Sequence, residues 1–112
     1  MLEPYRVLDL SDERGQLAGL ILAHLGAEVI AVEPPDGTSS RRLAPFAGDE
    51  ADAERSLWHW SYNRGKKSVV LDPSTDRDRA RLVALATTAD IVFDSGALDV
   101  DLAALRAANP RL

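Results

Sequence analysis

The sequence predicts an α/β fold: a Rossmann-like, mainly parallel sheet with helices on both faces. Three observations carry that prediction. Short apolar runs of strand length alternate with longer segments of helical spacing along all 112 residues. The first strand–helix–strand unit is punctuated by Gly26 at the helix end and Pro34-Pro35 at the strand end. A basic, glycine-containing turn, Asn63-Arg64-Gly65-Lys66-Lys67, then feeds straight into the apolar run Ser68-Val69-Val70-Leu71.

The elements follow in order. Tyr5-Arg6-Val7-Leu8-Asp9-Leu10 reads as a strand, and residues 11–15 as a polar turn. Leu17, Leu20, Ile21, Leu22 and Leu25 fall near helical spacing, with Gly26 in the capping position. Glu28-Val29-Ile30-Ala31-Val32-Glu33 is a second strand, and the Pro34-Pro35-Asp36-Gly37 run cannot continue it. Residues 36–55 mix glycine, serine, proline and charge with little periodicity, which predicts a surface loop with room for a short helix near its end. A helix is expected over residues 52–62, where Trp58, Trp60 and Tyr62 need burial, with Trp58 and Trp60 forming a hydrophobic cluster beneath the loop or lining an acyl pocket. Residues 67–72 form a third strand, and Pro73-Ser74-Thr75-Asp76 starts the helix through Arg81, Leu82, Leu85 and Ala86. Residues 89–94 read as a fourth strand and 101–108 as a last helix, ended by Asn109-Pro110. Arg111-Leu112 is expected to begin a fifth strand.

Composition bounds what the chain does. A chain of 112 residues is one domain, 1–112, with a modest core. An apolar fraction of 46% and a charged fraction of 28% are those of an ordinary globular protein, and no apolar run is long enough to cross a bilayer. The net charge of -5, with Lys and Arg scattered among acids, argues against nucleic acid as a partner. No cysteine is present, so disulfides, thiol catalysis and thiolate metal sites are excluded. His24 and His59 stand far apart in the sequence, and no metal site is expected. The N-terminus lacks the pattern of a signal peptide, which predicts a cytoplasmic location.

Ligands of open parallel sheets bind outside the carboxyl ends of the strands, where helix N-termini offer unpaired amides. That rule selects residues 12–15, 33–35, 71–74 and 94–96. The first of these is not a Gly-x-Gly-x-x-Gly loop, since only Gly15 and Gly19 are glycines. A nicotinamide site is therefore the weaker reading, although Glu33 stands where a ribose-binding acid would. Arg64, Lys66 and Lys67 are read either as phosphate contacts or as a solvated edge paired with local acids. Arg41 and Arg42 are read as loop residues that aid solubility.

The motifs together carry a resemblance. Arg6-Val7-Leu8-Asp9-Leu10-Ser11, then Leu25-Gly26-Ala27-Glu28-Val29-Ile30-x-Val32-Glu33-Pro34-Pro35, then Asn63-Arg64-Gly65-Lys66-Lys67-Ser68-Val69-x-Leu71-Asp72, resemble the N-terminal part of class III CoA-transferases. Leu105-x-x-x-Asn109-Pro110-Arg111-Leu112 matches as well. The resemblance implies the CoA-binding, Rossmann-like part of a longer polypeptide in an interlocked homodimer, so the fold here is incomplete relative to the family's domain. It implies coenzyme A or an acyl-CoA as substrate, and the remaining part of the fold or a homo-oligomer partner as partners. In such transferases an aspartate forms a mixed anhydride and then an aspartyl-CoA thioester. That residue, like the histidine and aspartate of the related α-methylacyl-CoA racemases, is expected beyond Leu112. No catalytic residue is expected within these residues, and the chain alone is expected to be inactive.

Carried over position by position, the resemblance implies cofactor contacts at Asp12, Glu13, Pro34, Leu71, Ser95 and Gly96. Two departures from the family pattern bear on them. Arg14-Gly15-Gln16 replaces an alanine-glycine-proline run, leaving the Asp12 and Glu13 carboxylates near an anionic ligand, where repulsion is expected. Ser95-Gly96 replaces an asparagine-phenylalanine pair after the fourth strand. Weakened CoA binding is the expectation, with a non-catalytic structural or dimer-forming module as the competing reading.

Overall fold

The computed structural model describes residues 1–112. Four parallel strands, β1 (Arg6–Asp9), β2 (Glu28–Glu33), β3 (Lys67–Val70) and β4 (Ile91–Phe93), form one sheet in the order β3-β2-β1-β4. The register sets Asp9 beside Ala31 and Phe93, and Glu33 beside Val70. Helix α1 (Gln16–His24) links β1 to β2, α2 (Leu57–Asn63) precedes β3, α3 (Asp76–Ala86) links β3 to β4, and α4 (Leu102–Ala108) closes the chain. From β1 to β3 the chain steps in one direction, then α3 carries it back past β1 to β4. Right-handed crossovers in opposite directions place their helices on opposite faces. The predicted α/β fold is the observed one.

Strand alternation sorts the two faces. Leu8, Leu10, Val32, Leu71, Leu82, Ala86, Ala89 and Leu105 form the main core between the sheet and the α3–α4 layer. Val7, Ala27 and Val29 form a smaller apolar cluster with Leu22, Ala23 and Phe93 on the α1 side. On that face the strand ends are polar instead, because Asp9 and Glu33 are buried there. Two carboxylates under a helix layer require partners. Lys66 and Arg41 supply them.

Helix boundaries follow their caps. Ser56 accepts a bond from the His59 N–H, Thr75 from the Asp78 N–H, and Asp101 from the Ala104 N–H. The second helix is thus shorter at its start than the sequence predicts, beginning at Leu57. Arg111-Leu112 forms no strand: the Leu112 N–H bonds the Asn109 carbonyl, making a turn. Asn109 itself donates to the Ala86 and Ala89 carbonyls, tying this turn to the end of α3. Residues 36–55 form a loop with a short 3₁₀ turn towards its end at Ala47–Asp49, and beyond the expectation a second at Ser39–Arg42 and a bridge between Phe46 and Ser56.

Candidate functional site

A cavity of about 610 Å³ opens at the carboxyl ends of the strands. Leu10, Ser11 and Asp12 line it after β1, Pro34 to Ser39 and Arg42 after β2, Asp72, Pro73 and Ser74 after β3, and Ala97, Leu98 and Asp99 after β4. Its size suits a small-molecule or cofactor ligand. Strand order explains the position: β1 and β4 are neighbours whose following loops lead to helices on opposite faces of the sheet, α1 and α4, so those loops splay apart.

Four carboxylates line this wall, those of Asp12, Asp36, Asp72 and Asp99, and Asp12 is the one held by an arginine close in sequence. Its carboxylate receives Arg14 Nε at 3.0 and 3.1 Å, Arg14 Nη2 at 3.0 Å and the Arg14 N–H at 3.0 Å. The Arg14 side chain beside it holds the Asp12 carboxyl below its ordinary value. Arg14 also reaches the Ser95 carbonyl at 2.9 Å, while Ser95 Oγ accepts from the Asp12 N–H at 3.0 Å and donates to Asp12 Oδ1 at 3.1 Å. These bonds join the loops after β1 and β4. The repulsion expected from Asp12 is therefore offset by a guanidinium two residues away. Glu13 turns aside, accepting a hydrogen bond from Ser39 Oγ.

The predicted contacts divide accordingly. Asp12 and Pro34 stand on the cavity wall, whereas Glu13, Leu71, Ser95 and Gly96 do not line it. Leu71 is 4% exposed and packs into the main core. Its neighbours Asp72, Pro73 and Ser74 line the cavity in its place. Ser95 braces Asp12 from behind, and Gly96 adopts φ +80° in a turn held by Asp94. Arg42 is more than the solubility residue the sequence suggests: it lines the cavity, and its side chain forms no hydrogen bond or ion pair within the chain. Its neighbour Arg41 points the other way and clamps buried Glu33, Nε to Oε2 at 2.7 Å and Nη2 to Oε1 at 2.8 Å. That pair corrects the surface-loop reading of Arg41 and occupies the carboxylate a ribose would need.

A second polar cluster lies under α2. His59 Nδ1 sits 2.6 Å from Ser40 Oγ and 3.2 Å from Asn63 Nδ2. With both groups donating to Nδ1, the ring proton belongs on Nε2, which faces Glu33 Oε1 at 3.9 Å. Burial, with the positive charges of Arg41 and Lys66 nearby, holds His59 below its ordinary value. Burial pushes the Glu33 carboxyl up, but bonds from Arg41 and the Thr38 N–H outweigh it and hold the group low. The aromatic residues are less buried than the sequence suggests. Trp58 stacks on Tyr62 with centroids 4.2 Å apart, while Trp60 is exposed.

The pattern of CoA-transferase family III matches residues 2–112. The chain belongs to CoA-transferase family III. It is 37% identical over 118 aligned residues to a succinyl-CoA:mesaconate CoA-transferase of Haloarcula hispanica, covering 99% of this chain and 30% of that protein. It is 38% identical over 95 residues to a probable fatty acyl-CoA transferase of Mycobacterium tuberculosis, covering 84% of this chain and 24% of that one. Among solved structures, a CAIB/BAIF family protein from Brucella suis superposes with TM-score 0.84 at 35% identity, covering 99% of this chain and 31% of that one. The chain thus spans about 30% of the length of family III relatives that it matches end to end. No helix is long and apolar enough to cross a membrane, and no group of three His, Asp or Glu side chains is arranged to hold a metal ion.

Proposed function

We propose that residues 1–112 are the CoA-binding part of a class III CoA-transferase of the cytoplasm, and that the cavity at the strand ends receives the nucleotide portion of CoA or an acyl-CoA. The observation that carries this reading is the wall itself. It is built by loops after all four strands; of its four carboxylates Asp12 is neutralised by Arg14, and of its two arginines, Arg42 and Arg79, Arg42 faces it without a carboxylate partner. A phosphate group of CoA would supply that partner, a charge-assisted contact of the kind arginine makes well. Pro34 and the Asp12 turn supply the flanking surface, and Ser95 holds that turn in place.

The whole protein, on this proposal, transfers CoA between a thioester and a carboxylic acid. A carboxylate outside these residues attacks the thioester carbonyl and expels the CoA thiolate, which then attacks the resulting anhydride to give an enzyme-bound CoA thioester and the free acid. The share of residues 1–112 is to hold CoA while its thiol leaves and returns. Further polypeptide, from the rest of the fold or a second subunit, is proposed to cover α1. That helix carries no charged residue from Gln16 to Ala23, Leu17 and Ile21 are each 51% exposed, and Leu57 and Trp60 of the neighbouring α2 are exposed as well. A helix apolar on all sides belongs inside a larger assembly.

Titration calorimetry of the full polypeptide with CoA, dephospho-CoA and NAD tests the site. Binding of CoA that Arg42→Ala weakens about tenfold, one charge-assisted contact, is the expected outcome. No heat at millimolar CoA would sink the reading and leave a structural module. A response to NAD without one to CoA would assign the cavity to dinucleotides.

A further inference from the structure

The Asn63 to Lys67 turn is the strongest sequence motif, yet none of its side chains lines the cavity. Lys66 goes inward. Its ammonium lies 2.7 Å from Asp9 Oδ2, 2.9 Å from the Gln16 carbonyl and 3.0 Å from Asn63 Oδ1, so all three of its protons are used. Both Lys66 and Asp9 side chains are 1% exposed. The other Asp9 oxygen accepts from the Ser11 N–H at 3.0 Å and from Ser11 Oγ. Ser11, with Leu10 and Asp12, is cavity wall.

One cation therefore touches both ends of the β1–α1 turn. Asp9 closes β1 and Gln16 opens α1, and the Gln16 side chain bridges back, donating to the Ser11 carbonyl at 3.3 Å and accepting from Asn63 Nδ2 at 3.1 Å. Gly19 makes the arrangement possible. A Cβ there would stand 2.6 Å from Asp9 Oδ2 and 3.0 Å from Lys66 Nζ, so the helix passes the ion pair only where it has no side chain. A buried ion pair adds little stability over an apolar pair of the same volume. What it adds is direction: three bonds from one ammonium orient three separate segments, and an apolar contact orients none.

We infer that Lys66, acting through Asp9 and Ser11, is a positioning residue that sets the shape of the β1–α1 turn and thereby the CoA-facing wall of the cavity. This rests on the proposed CoA site for its ligand but not for its geometry. The test is made in the full protein with Lys66→Met and Ser11→Ala. Hydrogen exchange at the backbone amides of residues 11–16 and calorimetry with CoA are read beside thermal unfolding.

Exchange of those amides about tenfold faster, with CoA affinity about tenfold weaker in variants that still unfold cooperatively, is the expected result. Variants that unfold earlier but keep wild-type exchange in the turn and wild-type CoA affinity would reduce Lys66 to a structural role and overturn the inference. If Lys66→Met does not fold, Ser11→Ala decides alone, since it removes the side-chain bond from the turn to Asp9, leaving only the Ser11 N–H bond, and keeps the ion pair intact. Should the wild type bind no CoA, the cavity assignment fails while the exchange arm still judges the positioning role.

Discussion

Arg41 closes on Glu33 with two parallel charge-assisted bonds of 2.7 and 2.8 Å, and the same guanidinium reaches the Ala53 carbonyl at 3.1 Å. One side chain thus pins a stretch of chain without periodicity to the end of β2. Arg41→Ala leaves a buried carboxylate unpaired, and a loss of about 3 to 5 kcal/mol is expected. Urea denaturation measures it. Limited proteolysis should cut between residues 43 and 55 in the variant well before the wild type, and equal cutting would show that Arg41 does not hold this segment.

Gly19→Ala tests the close approach of α1 to the ion pair. Alanine favours a helix over glycine by about 1 kcal/mol, so an unobstructed site would be stabilised. Here the new Cβ meets Asp9 Oδ2 at 2.6 Å, and the clash should reverse the sign to a net loss of about 2 kcal/mol. Gly96 is the control. A Cβ there meets nothing within 4 Å, so Gly96→Ala should cost only about 1 to 2 kcal/mol of backbone strain at φ +80°. A higher melting temperature for Gly19→Ala would contradict the packing described.

Stability should fall with acid in two stages. His59 is held below its ordinary value of 6.5, so the unfolded chain binds the proton more readily than the folded one. Its contribution is complete above that value and declines as the pH drops through it. Glu33 and Asp12 are held below 4.5 and 3.8, so their contributions are present above those values and lost as the pH falls further. Glu33, Glu54, Arg41 and Lys66 all face His59, and Glu33 and Glu54 oppose the lowering without cancelling it. In denaturation between pH 2 and 8, His59→Asn, which keeps an acceptor near the Nδ1 position, should remove the first stage and spare the second.

Arg14→Ala should expose Asp12 to the ligand as a bare carboxylate. The fold is expected to survive, because the Arg14 side chain is largely exposed. CoA affinity should drop by about tenfold or more, with Asp12→Asn in the same background restoring much of it. Calorimetry on the single and double variants reads both effects. Failure of the second change to rescue binding would show that the Asp12 charge does not govern affinity.

Much of the architecture is legible in the sequence because it is local. Periodicity marks the helices, Gly26 and Pro34-Pro35 mark ends, and strand–helix alternation implies a parallel sheet whose carboxyl ends hold the cavity. Where local signals compete, sequence and structure part. Ser56 starts α2 at Leu57 and not at the expected residue 52, and Asn109 folds Arg111-Leu112 into a turn through bonds to Ala86 and Ala89, some twenty residues away. The site is legible by segment and not by atom. Residues 71–74 do reach the cavity, but whether Leu71 or Ser74 faces it depends on how β3 sits over the core.

The sequence by itself determined the fold class, the order of its elements and the family, since spacing, turn residues and motifs are properties of neighbours along the chain. Tertiary structure alone decided the fate of each charge. Lys66 and Asp9 are 57 residues apart and meet only because β1 and the turn before β3 converge on one face of the sheet. Arg41 and Arg42 are adjacent in sequence, yet one is consumed by Glu33 and the other is left facing the cavity. A charged residue reads alike in every context, and only the three-dimensional neighbourhood tells a buried partner from a ligand contact.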